Sequence, residues 1–370
     1  MAVRMNNRKK FVDYVKNGGE KFCSPQIGAG AGFDTKLAGK EWVSETTPED
    51  TIAATQQFDM VPLFNFGLPD AGFCDETLSA KQVKSEWREG NKWQRYELET
   101  PKGTVSNETL EEKKSGITPV KFKVSEKEDL DVLEWFLDAS LETDLKPLEN
   151  YVSELSGEIG SSGALSMQWG AQPYELLSWS NTMDTVFLAN DYPEKFKALM
   201  DKILKLDLRL MDCCKKGGAD FIFLGGPGAE MISPSYYEDY LVPYSEIVSA
   251  EAHARGLLVY THICSPIEPM LTKGYYNRMG IDLFETLSAP PVGNIKSLTD
   301  ALSKLDERIC TRGNIGLDVL LNGTQEQVEE SCYAILEQTR GRKHILAASD
   351  YLFYDIPKEN VAAMCKSIQL

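Results

Sequence analysis

Short apolar runs recur along this chain, and stretches with helical spacing separate them. The runs fall at residues 60–67, 164–169, 220–224, 257–261, 282–285, 309–313 and 345–348. Each is short, rich in branched or aromatic residues, and flanked by turn formers. That predicts strands buried on both faces, as in parallel sheets. Start signals mark the helices between them. Thr47-Pro48 opens one that runs to Phe58, and the stretches at Asp191-Tyr192-Pro193-Glu194 and Ser233-Pro234 open two more. Thr324 with Gln327, and Ser125 with Glu128, predict capping boxes; the second starts a helix running through Leu137. His253-Ala254-Arg255-Gly256 reads as a basic last turn followed by a glycine stop. Strand–helix alternation of this kind implies a parallel sheet covered by helices. The pattern yields seven strands and does not locate the eighth that a closed (β/α)8 barrel requires.

Two regions break the alternation. Residues 1–58 read as an N-terminal helical and loop extension: a basic helix at 7–17, a loop at 18–45 and the Thr47 helix. The G-A-G-A-G within that loop lacks the strand–turn–helix setting of a phosphate loop. Residues 75–123 have another texture. W-Q-R-Y-E-L-E at 93–99 alternates with period two, T-P-K-G turns the chain, and 104–110 can run back beside it. The expected fold class is α/β: one (β/α)8 TIM barrel domain over residues 1–370, with a β-hairpin inserted near the N-terminal third.

Composition adds exclusions. A net charge of −17 leaves no basic excess to displace counterions from nucleic acid or to hold an anionic membrane surface. No apolar run approaches membrane-spanning length, and M-A-V-R-M-N-N-R-K-K-F lacks the apolar core of a signal peptide, so a cytoplasmic location is expected. The eight cysteines are scattered and form no C-x-x-C, which predicts free thiols rather than a disulfide framework.

In such a barrel the chemistry gathers where strands end. Reading those ends gives Asn65 and Asp70, Gln168, Glu230 in G-G-P-G-A-E, His262 and Cys264, Glu285, Asn314, and Asp350 with Tyr351. T-H-I-C at 261–264 is the most specific. Residues two apart on a strand face the same side, so His262 and Cys264 aim an imidazole and a thiolate at one point. That pair suits zinc, with Asp350, Glu285, Glu230 or a substrate atom completing the coordination. Gln168 and Asn314 equally suit capping of loop backbone.

The chain resembles the uroporphyrinogen decarboxylase superfamily from Met5 to Leu370. The likeness is carried by N-N-R-K-K-F, D-M-V-P-L, T-P-K-G-T and P-V-K-F-K-V-S-E-K-E-D-L-D-V-L, then by G-A-D-F-I-F-L-G, S-P-S-Y-Y-E-D-Y-L-V-P-Y and A-H-A-R-G-L, and finally by G-N-I-G-L-D-V-L-L-N-G-T and D-I-P-K-E-N-V-A-A-M. The resemblance implies a (β/α)8 barrel and one of two chemistries. True decarboxylases carry an Arg-rich segment of the type M-R-Q-A-G-R after the first strand. Here that place reads F-N-F-G-L-P-D-A-G-F, without Arg, in a chain already strongly acidic, which is a poor host for a polyanionic porphyrinogen. Corrinoid-linked methyltransferases hold zinc by H-x-C and a later Cys. His262 and Cys264 match the first part, and Asp350 stands where the later Cys would fall.

The resemblance therefore implies a zinc-dependent methyltransferase with His262 and Cys264 on the metal; the strand ends add Asp350, or else Glu285, as the third ligand and Glu285, Asp70 and Tyr351 as candidate catalytic groups. Asn65, Gln168, Glu230 and Asn314 would bind a small methylated substrate such as an aryl methyl ether. The chain has no D-x-H-x-x-G signature, so cobalamin would arrive on a separate corrinoid protein. A homodimer is compatible with this reading. The alternatives are a decarboxylase with Asp70 and Tyr351 near the reaction centre, a methylcobamide:thiol methyltransferase, and a ligand-binding relative without turnover.

Overall fold

The structure is a computed structural model that describes residues 6–170 and 173–368; Met5 and Leu370, the ends of the resemblance, lie outside the described residues. In chain order its strands are β1 (Leu63–Gly67), β2 (Lys81–Arg88), β3 (Asn91–Thr100), β4 (Gly103–Glu112), β5 (Gly116–Lys121), β6 (Ala164–Gln168), β7 (Phe221–Phe223), β8 (Leu258–His262), β9 (Leu283–Glu285), β10 (Cys310–Ile315) and β11 (His344–Ala348). The seven apolar runs become β1 and β6 to β11. These form one parallel sheet in which each strand pairs with the next in sequence. Helices fill the connections, as parallel pairing requires. No helix among the described residues is long and apolar enough to cross a membrane.

The two outer strands of this sheet are bridged by an extended piece of chain at Phe22–Ser24. Ser24 N–H donates to the Leu346 carbonyl of β11 at 2.8 Å, and Leu346 N–H donates back to Phe22 at 3.2 Å. On its other side the Cys23 carbonyl accepts from Val61 N–H, just before β1, at 3.0 Å. The arrangement is TIM-barrel-like. The bridging piece lies inside what reads in sequence as a Gly- and Ser-rich loop. Three residues are too few to show a period, so no pattern marks them.

Side chains pointing into the lower half of the sheet form an apolar plug. Leu63, Ala164, Phe221, Leu258, Leu283, Cys310 and Ile345 contribute one residue per strand, and Phe11, Tyr14 and Val15 of the helix Asn7–Asn17 cover them from below. That helix is anchored by Arg8, whose guanidinium pairs with Asp220 at 2.8 Å, and by the Tyr14 hydroxyl donating to the His344 carbonyl at 2.9 Å. The apolar bottom pushes polar chemistry to the opposite, carboxyl end.

Two expectations are corrected. The insertion at 75–123 is a four-stranded antiparallel sheet in the order β2-β3-β4-β5, and the expected hairpin is its inner pair. The outer strands escape sequence reading because edges are kept polar to discourage pairing with other chains. Here β2 is almost wholly exposed and β5 carries Pro119. The Ser125 capping box is also absent. The helix Asp129–Glu142 starts later, and the Asp129 carboxylate caps backwards, accepting from the Ser125 and Glu126 amides at 3.0 and 3.1 Å. By contrast Thr47 and Thr324 both form their caps, accepting from Asp50 and Gln327 amides.

If residues 22–24 bridge the sheet, the amides of Ser24 and Val61 should exchange hydrogen as slowly as those of β8. Exchange at the rate of an exposed loop, measured by NMR or mass spectrometry, would show that the edges are open.

Candidate metal centre

The register of the sheet builds the site. His262 on β8, Glu285 on β9 and Arg312 on β10 are direct neighbours across three adjacent strands. All three point inward, two residues above Tyr260, Leu283 and Cys310 respectively. Glu285 is fully buried and sits between its neighbours. Its Oε1 accepts from His262 Nδ1 at 2.7 Å, and its Oε2 pairs with Arg312 Nη1 at 2.8 Å. The Tyr260 hydroxyl donates to the same Oε1, and Gln26 Nε2 reaches Oε2 at 3.4 Å. Arg312 is itself tied to the Ser24 carbonyl at 2.8 Å.

With Nδ1 held from behind, His262 presents Nε2 to the barrel mouth. That nitrogen lies 3.2 Å from Asp350 Oδ1. The ligand atoms of His262, Cys264 and Asp350 all fall within 4.8 Å of one another, and all three residues are half-buried. A ring nitrogen backed by a carboxylate and facing a thiol and a second carboxylate is the arrangement that orients histidine for a metal. Glu285 is behind the ring, so of the carboxylates considered for the third ligand only Asp350 stands on the open side.

Electrostatics give an independent test of fit. Burial alone would raise the Glu285 pKa, but Arg312, His262 and Tyr260 outweigh it and hold the carboxyl below its usual range. Burial would likewise raise Asp350, and its hydrogen bonds to His262, Tyr351 N–H and Cys264 bring it below the usual range. Burial disfavours charge on His262, yet Asp350, Cys264 and Glu285 push its pKa well above the ordinary value. Two carboxylates thus require two cations, and without a metal they use Arg312 and a protonated His262. A divalent ion would displace the imidazole proton and the Cys264 thiol proton together, leaving the cluster neutral again. The N, S, O donor set accommodates zinc in charge as well as in number.

The remaining residues divide. Asn65 on β1 donates to Gln168 on β6 at 2.8 Å and to the Tyr351 hydroxyl at 3.2 Å. The Tyr351 hydroxyl is 3.3 Å from that of Tyr260, and its ring centroid is 5.3 Å from His262. A continuous polar chain therefore runs from Gln168 across the mouth to Glu285. Asn65 Oδ1, Gln26 Oε1 and Arg312 Nη2 are buried without a partner among the described residues, so the chain retains unused hydrogen-bonding capacity.

Three others stand apart. Asn314 donates to the Leu287 carbonyl at 2.9 Å, stitching β10 to the loop after β9. Glu230 is exposed, and its carboxylate lies over Gly228, where a Cβ would overlap it and Ser265. Asp70 is exposed and accepts from Gly72 N–H at 2.9 Å, and no contact joins it to His262 or Tyr351.

Sequence reading passed over Arg312, Tyr260 and Gln26. The first two had a signal: Arg312 is two before Asn314 and Tyr260 two before His262, so each shares an inward face with a residue already singled out. Gln26 lies in an apparent loop and had none.

The strand order and the cluster at strand ends define an α/β barrel-like enzyme scaffold with a candidate metal site in its mouth. A family model described as uroporphyrinogen decarboxylase (URO-D) matches residues 112–369, and the chain belongs to that family. Among similar proteins, the uroporphyrinogen decarboxylase of Parasynechococcus marenigrum (strain WH8102) is 25% identical over 240 residues, covering 60% of this chain and 64% of that one. The uroporphyrinogen decarboxylase of Geobacter sulfurreducens is 24% identical over 194 residues, covering 51% and 52%. The matches thus span less than two thirds of these relatives. A solved structure of a methyltransferase from Methanosarcina mazei superposes with a TM-score of 0.68 over 98% of both chains, at 14% identity. At that identity the likeness shows a shared fold.

Replacing Arg312 by Met should strand the Glu285 charge and cost about 3–5 kcal/mol in urea denaturation. The double change Arg312→Met, Glu285→Leu should recover much of that loss; strictly additive losses would show that the pair is not coupled.

Asp207, on the helix Pro193–Gly217, offers a pH test. It is buried, accepts from Trp169 Nε1 at 2.8 Å and from the Tyr244 hydroxyl, and burial raises its pKa from 3.8 to about 8. The folded state keeps this proton across that interval while the unfolded chain releases it, so the group's effect is to lower stability as pH rises between the two values. Asp207→Asn should flatten this part of the dependence when urea midpoints are compared from acid to mildly basic pH, and an unchanged slope would refute the assignment.

Proposed function

We propose that the protein is a zinc-dependent methyltransferase that moves a methyl group between a small methylated compound, such as an aryl methyl ether, and a separate corrinoid protein. The observation that carries this reading is the convergence of His262, Cys264 and Asp350 at one point of the barrel mouth, with Glu285 fixing the imidazole from behind. Zinc bound there supplies Lewis acidity to the heteroatom that bears the methyl group. On this reading residues 22–24 serve as the eighth strand of a closed (β/α)8 barrel, the whole chain forms one domain, and it works in the cytoplasm.

The chain's own residues do the positioning. Glu285 accepts from Nδ1–H and so keeps the lone pair of His262 on Nε2. Arg312 and Tyr260 hold Glu285 in place. Asn65, Gln168 and Tyr351 line the mouth with amide and hydroxyl groups able to orient a bound oxygen or nitrogen. Asp350 in place of a second thiolate keeps the metal harder, which favours an oxygen- or nitrogen-bound methyl donor over a thiol. A decarboxylase reading draws on the names of the relatives. It lacks a basic clamp: F-N-F-G-L-P-D-A-G-F, running from within β1 into the loop beyond it, has no Arg, and Arg312 uses Nη1 on Glu285 and Nε on Ser24.

Metal analysis of the purified protein should find about one zinc per chain, and His262→Ala and Cys264→Ala should each lose most of it while keeping the fold. Cobalt methylation, followed by absorbance with a panel of methyl donors, should fail in both variants. Wild-type protein that turns over without metal, or variants that retain metal and full transfer, would overturn the reading.

A further inference from the structure

A second polar site lies on the same face of the barrel, away from His262. It is a cleft of about 280 Å³ between the inserted sheet and the barrel rim. The sheet contributes Asn107 and Thr109 from one face of β4, together with Lys121 at the end of β5. The rim contributes Asp70 after β1 and the segment Leu177–Trp179 after β6. Lys123 crosses between them.

The position of Lys123 is imposed by its neighbours. Val124 N–H donates to the Trp179 carbonyl at 2.8 Å, and Val124 is fully buried. This pins the chain beside Trp179 and lays Lys123 Nζ over the indole ring, 4.3 Å from its centroid. The ring is rigid in turn: Trp179 is buried and packs on Phe136 with centroids 4.5 Å apart. Among the described residues no carboxylate pairs with Lys123 and no acceptor hydrogen-bonds its ammonium. Burial lowers its pKa, and Asp70 acts on it only through space. Lys121 is differently placed, donating to Ser106 at 2.8 Å. A partly buried ammonium without an acceptor is costly unless something supplies one. Among the described residues Asp70 is the sole acid of the lining, against two lysines.

We propose that this cleft binds the carboxylate of a small aromatic ligand, with Lys123 as its counter-ion, Asn107 and Thr109 as hydrogen-bonding partners, and Phe122, Leu177 and Pro119 against its apolar body. The cavity holds a molecule the size of a benzoate, and the aromatic and aliphatic lining suits a ring better than a free inorganic ion. The proposal concerns a binding site separate from the metal centre and does not rest on the reading given above.

The test is titration calorimetry with 4-methoxybenzoate, with anisole as the neutral analogue. Wild type should bind the acid, and anisole should bind at least about tenfold more weakly. Lys123→Gln should weaken binding of the acid by about 10- to 100-fold, while Lys123→Arg should stay within a few-fold of wild type. Melting curves that match wild type exclude a folding defect. His262→Ala should bind the acid like wild type, so the site stands or falls separately from the metal chemistry. Binding that is unchanged in Lys123→Gln, equal affinity for anisole, or full displacement by an equal concentration of inorganic phosphate would each overturn the assignment.

Discussion

Glu285 carries its charge where no water reaches it, and Arg312 and His262 on the two adjoining strands hold it there. A buried carboxylate of this kind is tolerable only when both oxygens are engaged. One oxygen takes the guanidinium and the other takes imidazole and phenol. That division fixes the imidazole's tautomer, its tilt and the direction of its free nitrogen. The candidate metal centre therefore depends less on its three ligands than on a carboxylate that touches none of the open coordination space.

The same interaction ties the site to the architecture. Arg312 reaches past β11 to the Ser24 carbonyl, within the short segment that bridges the outer strands. Glu285 also meets Gln26, two residues further along that segment. A change that opened the bridge would loosen the charge at the centre of the mouth. The apolar plug beneath serves the same end: with Leu63, Phe221 and Leu283 packed below and the helix Asn7–Asn17 covering them, polar groups are confined to the upper half of the barrel. Function follows from this segregation, and membership of the decarboxylase family alone does not choose the reaction. The methyl-transfer reading proposed above draws on the absence of arginine at residues 64–73 and on the proximity of a nitrogen, a sulfur and an oxygen.

Much of this was readable in the chain. Each of the seven apolar runs became a strand, because a short apolar run between helical stretches suits a strand buried on both faces. Thr47 and Thr324 capped the helices they announced, because capping is a contact between residues three apart. His262 closes β8 and Cys264 lies two residues beyond the strand, so their proximity comes from the loop that follows and not from strand alternation. The outer strands of the inserted sheet and the Phe22–Ser24 bridge were not readable, since polar edges and three-residue elements carry no period.

Sequence by itself thus determined what short-range geometry controls: the strands of the parallel sheet and the caps at Thr47 and Thr324. Only the tertiary structure decided how residues on different strands meet. That Glu285 stands behind His262 while Asp350 stands before it, and that Arg312 answers Glu285, follows from strand register. Register is set by the packing of the whole barrel, to which no local stretch of the chain has access.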